Sequence, residues 1–229
     1  MGVINQNQQD EEKLAAAKAA VKYVKNGDIV GLGTGTTATF AIKELGRLVG
    51  EGLSIKAVAS SIRTEELARS LGIEVLELGE ISSVDISIDG ADEFTESLDL
   101  IKGGGGALFR EKIMASLSKK AIIVADASKK VKKLGAFTLP IEVIPFAYQY
   151  VFDQISKLNG IGKKRKINNQ DYITDNGNFI IDADFGLIDD PKALSDALNR
   201  IDGLLAHGLF INLTSRVIMS DQSEIIIFE

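Results

Sequence analysis

The chain has 229 residues, of which 45% are hydrophobic and 25% are charged, and its formal net charge is −6. This length allows one large domain or a medium domain with a small one, and the apolar content is sufficient for a core. The acidic balance excludes the basic surface that nucleic acid requires, so we expect no nucleic-acid partner. The chain has no cysteine and a single histidine, which excludes thiol nucleophiles, disulfides and Cys-based or multi-His metal sites.

No stretch approaches the roughly 18 consecutive apolar residues of a membrane span, and the N-terminus lacks an apolar signal core. We therefore expect a cytoplasmic protein with no membrane partner. Residues 2–12 are polar, and we expect them to be frayed.

The chain up to residue 125 predicts short apolar strands that alternate with helices. Strands rich in Val, Ile and Ala are typical of buried parallel strands, and the alternation favours a parallel sheet with helices on both faces. Ligands bind such sheets at the carboxyl ends of the strands. Helices are predicted over residues 14–24, 38–49, 64–71 and 110–118, and strands over residues 28–33, 54–59, 73–78, 84–88 and 121–125.

A different pattern, βαββαβ, begins near residue 134 and predicts a small inserted domain over residues 134–207. The turn Asp175-Asn176-Gly177-Asn178 predicts a hairpin within it. Residues 1–133 and 208–229 then form the main domain, to which the tail returns with two strands. Strands are predicted over residues 141–144, 164–174, 179–184, 204–207, 216–219 and 224–228, and helices over residues 148–158 and 191–201.

Four successive glycines, residues 103–106, follow Lys102 and precede a predicted helix. Glycines leave the backbone open to close approach by a ligand, and the first N–H groups of the helix can point at it. Glu111 lies on the first turn of that helix. The helix dipole favours its ionised form and a dry cleft opposes it, so it is a candidate general base. Alternatively, Glu111 only complements the dipole.

Two other strand ends carry polar groups. The segment Gly31-Leu32-Gly33-Thr34-Gly35-Thr36-Thr37 follows a strand and opens a helix, so its amides and hydroxyls could bind a phosphate, or it could be only a tight turn. The segment Asp89-Gly90-Ala91-Asp92-Glu93 can aim two carboxylates into one cleft. Its alternatives are a turn or helix cap, or a Mg²⁺ site.

The lysines carry less information. Lys102 and Lys129 could each neutralise a phosphate or a developing oxyanion. The basic run of residues 163–166 is interpreted as an exposed face, and His207, in an apolar strand, as a structural residue.

Taken together, these segments resemble the A-type ribose-5-phosphate isomerases in order and spacing, over about residues 13–210. The matching segments are Gly33-Thr34-Gly35-Thr36-Thr37, Asp89-Gly90-Ala91-Asp92-Glu93, Lys102-Gly103-Gly104-Gly105 with Arg110-Glu111-Lys112, Ala125-Asp126-Ala127-Ser128-Lys129, Leu139-Pro140-Ile141-Glu142-Val143-Ile144-Pro145 and Thr174-Asp175-Asn176-Gly177-Asn178.

The resemblance implies interconversion of D-ribose 5-phosphate and D-ribulose 5-phosphate in the pentose phosphate pathway, with neither cofactor nor metal. It implies that Glu111 moves a proton between C1 and C2 through an ene-diolate. It also implies an α/β fold with a Rossmann-like, mostly parallel sheet, a small ferredoxin-like α+β domain, and a homodimer or homotetramer.

The same resemblance assigns the remaining site residues. Asp89 and Asp92 are expected near the sugar hydroxyls, and Lys102 is expected to steady the ene-diolate oxygens. A weaker match places Lys13 near the phosphate. The expected substrate-binding residues are Thr34, Gly35, Thr36, Thr37, Asp89, Gly90, Ala91, Asp92, Lys102, Gly103, Gly104, Gly105 and Lys129.

Two departures from the family pattern concern the glycine loop and the tail. Gly106 occupies a position where alanine is expected, which predicts a slightly looser loop. The tail Asn212-Leu213-Thr214-Ser215-Arg216-Val217 does not match the usual ending.

Two rival classes of function remain open at this point. One is another enzyme on a related sheet, either a sugar-phosphate deaminase-isomerase or an acyl-CoA transferase. The other is a non-catalytic sugar-phosphate sensor, which would normally carry a pair of DNA-binding helices. Only one helix is predicted before the first strand, which disfavours the sensor.

Overall fold

The structure is a computed structural model that describes residues 6–222 and 224–229. Its helices are α1 (Gln6–Val21), α2 (Thr36–Gly50), α3 (Ile62–Ser70), α4 (Leu108–Leu117), α5 (Tyr148–Lys157) and α6 (Pro191–Leu198). Its strands are β1 (Ile29–Leu32), β2 (Lys56–Ala59), β3 (Glu74–Val75), β4 (Ile86–Gly90), β5 (Glu93–Phe94), β6 (Leu100–Ile101), β7 (Ala121–Asp126), β8 (Leu139–Val143), β9 (Ile161–Lys164), β10 (Lys166–Ile167), β11 (Gln170–Asp171), β12 (Phe179–Asp184), β13 (Leu204–His207), β14 (Leu209–Phe210), β15 (Arg216–Asp221) and β16 (Glu224–Phe228).

The chain divides into two compact units. Unit 1 contains the described parts of residues 1–91, 113–130 and 213–229, and unit 2 contains residues 92–112 and 131–212. Among the described residues, no helix combines the length and the apolar character that a membrane crossing would require.

Unit 1 is built on a seven-stranded sheet with the order β16-β15-β7-β4-β1-β2-β3. Every pair in it is parallel except the edge pair of β15 and β16. The inner strands are mostly apolar and buried, β7 along its whole length, because inner parallel strands are covered on both faces. The edge strand β16 is largely exposed. The predicted α/β fold and the return of the tail to this sheet are therefore confirmed.

Helix α1 begins earlier than the sequence predicts. Residues 6–12 were expected to be frayed, but they are helical. The reason is tertiary contact: Ala16 and Ala20 of the same helix are fully buried, and Glu12 Oε1 accepts a hydrogen bond of 3.3 Å from the Gln222 N–H. The expectation for residues 2–5 lies outside the described residues.

Unit 2 contains the predicted βαββαβ arrangement. Its four strands pair antiparallel in the order β13-β8-β12-β9, and α5 and α6 provide its two helices. Apolar residues of the sheet and of both helices form its core, among them Ile141, Val151, Ile181 and Leu198, each fully buried. This is the small ferredoxin-like domain that was expected.

Two predicted strands differ most from the structure. The strand predicted over residues 164–174 is wrong as a single element, because β9 ends at Lys164 and a separate ribbon of β10 and β11 follows. The ribbon turns at Asn168 and Asn169, whose φ angles are 52° and 63°, and asparagine tolerates this left-handed conformation. The strand predicted over residues 73–78 is reduced to β3.

A three-stranded antiparallel sheet in the order β14-β6-β5 was not predicted. Its strands have two residues each, too few to show an alternating pattern. Through it, residues 92–112 and 208–212 group with unit 2, whereas the sequence placed them in the main domain. The predicted domain boundaries at residues 133/134 and 207/208 stay a prediction.

Candidate active site

Glu111 and Lys102 form a buried ion pair in unit 2. The Lys102 Nζ lies 3.4 Å from the Glu111 Oε2, and the two side chains are 4% and 2% exposed. Glu111 lies in the first turn of α4, where the dipole of the helix stabilises a carboxylate. Lys102 follows β6 directly, and its backbone N–H bonds to the Gly208 carbonyl at 2.9 Å. Both residues are thus fixed by secondary structure rather than by mobile loops.

An aromatic ring adjoins this pair. The Lys102 Nζ lies 5.4 Å from the centre of the Phe210 ring, and the Lys112 Nζ lies 5.0 Å from the same centre. A ring face attracts ammonium groups, so Phe210 helps to position the Lys102 ammonium beside Glu111. Sequence reasoning missed Phe210 because its strand, β14, is too short to be recognised.

The glycine loop forms a tight turn beside Asp92. The Gly106 N–H bonds to the Gly103 carbonyl at 3.0 Å, and the Gly104 N–H donates to Asp92 Oδ2 at 2.8 Å. A Cβ at position 104 would lie 2.5 Å from Asp92 Oδ1. The carboxylate can approach the loop only because residue 104 has no side chain.

The structure also explains why position 106 is a glycine. Its φ is +85°, and a Cβ there would lie 2.1 Å from the Tyr172 hydroxyl. Alanine would be strained by the backbone angle and would displace the ring. In this chain the fourth glycine is matched to Tyr172.

In unit 1 the structure brings together Asp89 and the loop after β1. Asp89 Oδ1 accepts hydrogen bonds from the Thr34 N–H at 3.2 Å and from the Gly90 N–H at 2.7 Å. A Cβ at Gly33 would lie 2.0 Å from the same oxygen. Gly33 is therefore required for the approach of Asp89, which is 8% exposed.

The hydroxyl of Thr34 belongs to a cluster that the sequence did not indicate. It lies 2.8 Å from Ser60 Oγ, 2.9 Å from Ser61 Oγ and 3.3 Å from Thr64 Oγ1. These three residues are buried, and Ser61 caps α3 through the Thr64 N–H. The only available signal was that Ser60 and Ser61 follow β2 at the same sheet edge as the other motifs.

The start of α2 carries the other predicted phosphate ligands. Gly35 is its N-cap with φ 109°, and Gly35 and Thr36 are exposed. The first N–H groups of a helix have no partners within that helix and carry partial positive charge. Thr37, in the same turn, packs near Gly90, where an added Cβ would lie 3.5 Å from the Thr37 Cβ.

Lys129 lies just after β7, in a short 3₁₀ helix that Asp126 caps. The capping bond joins Asp126 Oδ1 to the Ser128 N–H at 3.0 Å. Lys129 is half-buried at this strand end of unit 1, as the sequence predicted for its location. Lys13, on α1, is buried, and its Nζ lies 3.4 Å from Asp10 Oδ1.

Two sequence motifs without a chemical assignment meet beside α4. Buried Glu142 Oε1 accepts hydrogen bonds from Thr174 Oγ1 at 2.9 Å, Asn176 Nδ2 at 3.1 Å and Asn178 Nδ2 at 3.0 Å. The Arg110 Nε in turn donates to Asn176 Oδ1 at 2.9 Å. These contacts hold the residue that precedes Glu111.

His207 is buried, which agrees with the structural role that the sequence suggested. It is 1% exposed on β13; its Nδ1 accepts from the Leu209 N–H at 3.3 Å, and its Nε2 lies 3.1 Å from Asn199 Oδ1. Burial, together with the charge of Lys112, lowers the pKa of His207 to about 3. The ring is therefore neutral at physiological pH.

Lys112 belongs to the matching segment Arg110-Glu111-Lys112 but was given no role, yet its environment is unusual. Its Nζ donates to the Leu209 carbonyl at 2.9 Å and lies 3.4 Å from His207 Nδ1. Burial lowers the pKa of Lys112 to about 7. The available signals were its place in that segment and its position next to Glu111 in the sequence.

The described residues offer no set of side chains that supports the Mg²⁺ alternative for the acidic segment. Within residues 6–222 and 224–229, no group of three or more Asp, Glu or His side chains could hold a metal ion. Asp89 lies in unit 1 and Asp92 in unit 2, and each carboxylate accepts a hydrogen bond from a backbone amide.

Comparison with known proteins gives consistent results along the chain. The profile of the family Ribose 5-phosphate isomerase A (phosphoriboisomerase A) matches residues 56–224. Ribose-5-phosphate isomerase A of Limosilactobacillus reuteri is 46% identical over 213 residues, 92% of this chain and 94% of the relative. The protein of the same name from Streptococcus agalactiae is 44% identical over 221 residues, 96% of this chain and 99% of the relative.

Solved structures give the same result for the fold. Ribose 5-phosphate isomerase A from Methanocaldococcus jannaschii superposes with a TM-score of 0.90 at 40% identity, covering 95% of this chain and 97% of that one. A D-ribose-5-phosphate isomerase in complex with phospho-erythronic acid superposes with a TM-score of 0.93 at 37% identity, covering 96% and 99%. The chain thus belongs to the ribose 5-phosphate isomerase A family.

Proposed function

We propose that Glu111 is the base with which this chain interconverts D-ribose 5-phosphate and D-ribulose 5-phosphate, the reaction of its family. The buried pair of Glu111 and Lys102 is the observation that carries this proposal. Aldose–ketose isomerisation needs a base that takes a proton from one carbon and returns it to the neighbouring carbon. A carboxylate beside a cation, enclosed in protein, suits this task.

The ammonium group of Lys102 has a second task. Removal of the proton leaves negative charge on the oxygens of an ene-diolate, and a nearby cation stabilises that charge. Lys102 lies within 3.4 Å of Glu111, so it is suited to face the oxygens of the two reacting carbons. The amide of exposed Gly105 provides a further donor.

Asp89 and Asp92 are proposed to contact the sugar hydroxyls, and one of them to assist ring opening. Each is held in a fixed orientation by a backbone amide, of Thr34 and of Gly104 respectively. An anchored carboxylate loses little freedom when it binds a hydroxyl.

The phosphate is proposed to bind the amides and hydroxyls at the start of α2. Helix N-termini are suited to phosphate groups, and α2 begins with exposed Thr36 next to Gly35. Lys129 and Lys13 are proposed as additional cations for the same ligand. The relative bound to phospho-erythronic acid, a phosphorylated sugar acid, supports a phosphorylated carbohydrate as the ligand.

A direct assay of product formation tests the function. The chain is incubated in EDTA with ribose 5-phosphate or with glucosamine 6-phosphate, and the products are identified by mass spectrometry. We expect ribulose 5-phosphate from the first compound at full rate in the chelator and no ammonia from the second. Deamination of the amino sugar, or loss of all activity in EDTA, would contradict the assignment.

We also propose a homodimer or homotetramer in the cytoplasm. The self-association is supported by apolar side chains in unit 2 that face solvent close together in the chain. Phe146 is 100% exposed, Tyr150 is 50% exposed and Ile144 is 44% exposed. Exposed apolar groups of this kind often mark surfaces that bind another protein.

A further inference from the structure

Arg165, which none of the catalytic roles uses, contacts the glycine loop. It follows β9, and its backbone is fixed by bonds of the Arg165 N–H to the Ile180 carbonyl at 2.8 Å and of the Tyr172 N–H to the Arg165 carbonyl at 3.0 Å. Its Nη1 donates to the carbonyl oxygens of Gly103 at 3.0 Å and of Gly104 at 3.1 Å. One guanidinium nitrogen thus binds two successive peptide groups of the loop.

Another edge of the guanidinium, formed by Nε and Nη2, is held by Asp182 on β12. The Arg165 Nε donates to Asp182 Oδ2 at 2.9 Å, and Nη2 donates to Oδ1. Such a two-bond pairing orients the planar guanidinium as well as neutralising it. Because the side chain of Arg165 is only 12% exposed, its orientation is also restricted by its surroundings.

A hydrogen bond that holds a backbone carbonyl also fixes the amide of the next residue. A peptide group is planar and trans, so the N–H of the next residue points opposite to the carbonyl. Arg165 therefore sets the direction of the Gly104 and Gly105 N–H groups, away from the guanidinium. The observed bond of the Gly104 N–H to Asp92 Oδ2 at 2.8 Å agrees with this direction.

A run of four glycines needs such a restraint. Glycine loses more conformational freedom on ordering than any other residue, and Gly104 and Gly105 are exposed. Tyr172, whose ring lies 5.9 Å from the guanidinium carbon, occupies the space beside Gly106. The loop is thus restrained from one side by Arg165 and Tyr172, which flank the ribbon of β10 and β11.

We propose that Arg165, oriented by Asp182, is a positioning residue that aligns the Gly105 amide for the ene-diolate and keeps the Gly104 amide on Asp92. The inference rests on the proposed function, because it makes the Gly105 amide a donor to the developing negative charge of the reaction. Misalignment of such donors affects the transition state more than the bound substrate. Its loss is therefore expected in kcat rather than in KM.

The test compares Arg165→Met, Arg165→Lys and Asp182→Asn with a control variant, Lys164→Met. Lys164 is the adjacent residue on β9 and pairs with Asp171. We expect Arg165→Met to lower kcat by about 10- to 100-fold while KM changes by less than about 3-fold. Arg165→Lys and Asp182→Asn should fall between this variant and the control.

A second readout separates alignment from general damage. Affinity for phospho-erythronic acid should fall in parallel with kcat/KM across the series, while affinity for inorganic phosphate stays unchanged. The double variant Arg165→Met/Asp182→Asn should be no slower than Arg165→Met alone. The two changes disrupt the same contact, so their effects do not add. Asp182→Asn carries the same test if Arg165→Met does not fold.

The outcomes that overturn the inference are distinct from failure of the function. Unchanged kcat in Arg165→Met or in Asp182→Asn refutes it, as does equal weakening of both ligands. If the unmodified chain forms no ribulose 5-phosphate, the proposed function itself is wrong.

Discussion

The carboxyl group of Glu111 is buried next to a positively charged side chain. Its partner Lys102 lies 3.4 Å away, and both are nearly fully buried. Replacing Glu111 by Gln keeps the shape but removes the base. We expect kcat to fall by at least about 100-fold, the usual contribution of a general base, while the substrate still binds. Steady-state kinetics with a binding measurement checks this, and near-normal turnover would refute the role.

His207 links the stability of unit 2 to pH. Its pKa is about 3 when folded and 6.5 in the reference state. The unfolded chain therefore binds more protons between these values, and this contribution to the free energy of unfolding rises with pH across that window. As the pH falls from about 6.5 towards 3, the unmodified protein should lose stability relative to His207→Gln.

Urea unfolding of both proteins at pH 7 and pH 4 measures this effect. Only the difference between the two proteins is compared, so that the titration of groups that do not contact His207 cancels. A difference that is the same at both pH values would contradict a buried, neutral imidazole.

At the scale of elements, the strand-end loops depend on glycines that leave room for carboxylates. Gly33→Ala would place a Cβ 2.0 Å from Asp89 Oδ1, so Asp89 must move. We expect kcat/KM to fall by about 10- to 100-fold and stability by about 1–3 kcal/mol. Gly50→Ala, at the end of α2 with no atom within 4 Å of the new Cβ, is the control and should retain full activity.

Much of this element-scale picture was accessible from sequence, because strand ends and glycine loops are local signals. The loop of residues 103–106, the acidic segment and most helices were predicted from neighbouring residues alone. The contacts of Arg165 and of Ser60 were not, because they join segments distant in the chain. The fraying expected for residues 6–12 was wrong because packing, rather than local composition, stabilises α1.

At the scale of the whole molecule, the exposed apolar residues near α5 predict self-association. Phe146→Glu alters a fully exposed side chain, so the folded monomer should change in stability by less than about 0.5 kcal/mol. Light scattering should find an oligomer for the unmodified chain and a smaller species for the variant. Leu187→Glu, at another exposed apolar position, should leave the oligomer intact, and an unchanged mass for Phe146→Glu would rule out this surface.

The central claim is that one carboxylate moves a proton between adjacent carbons of a phosphorylated pentose. A crystal structure of Glu111→Gln soaked with ribose 5-phosphate tests it most directly, because slow turnover should leave the sugar in place. We expect the side-chain amide at position 111 about 3–3.5 Å from C1 and C2, the separation of reacting groups. A sugar bound with these carbons far from position 111 would contradict the mechanism.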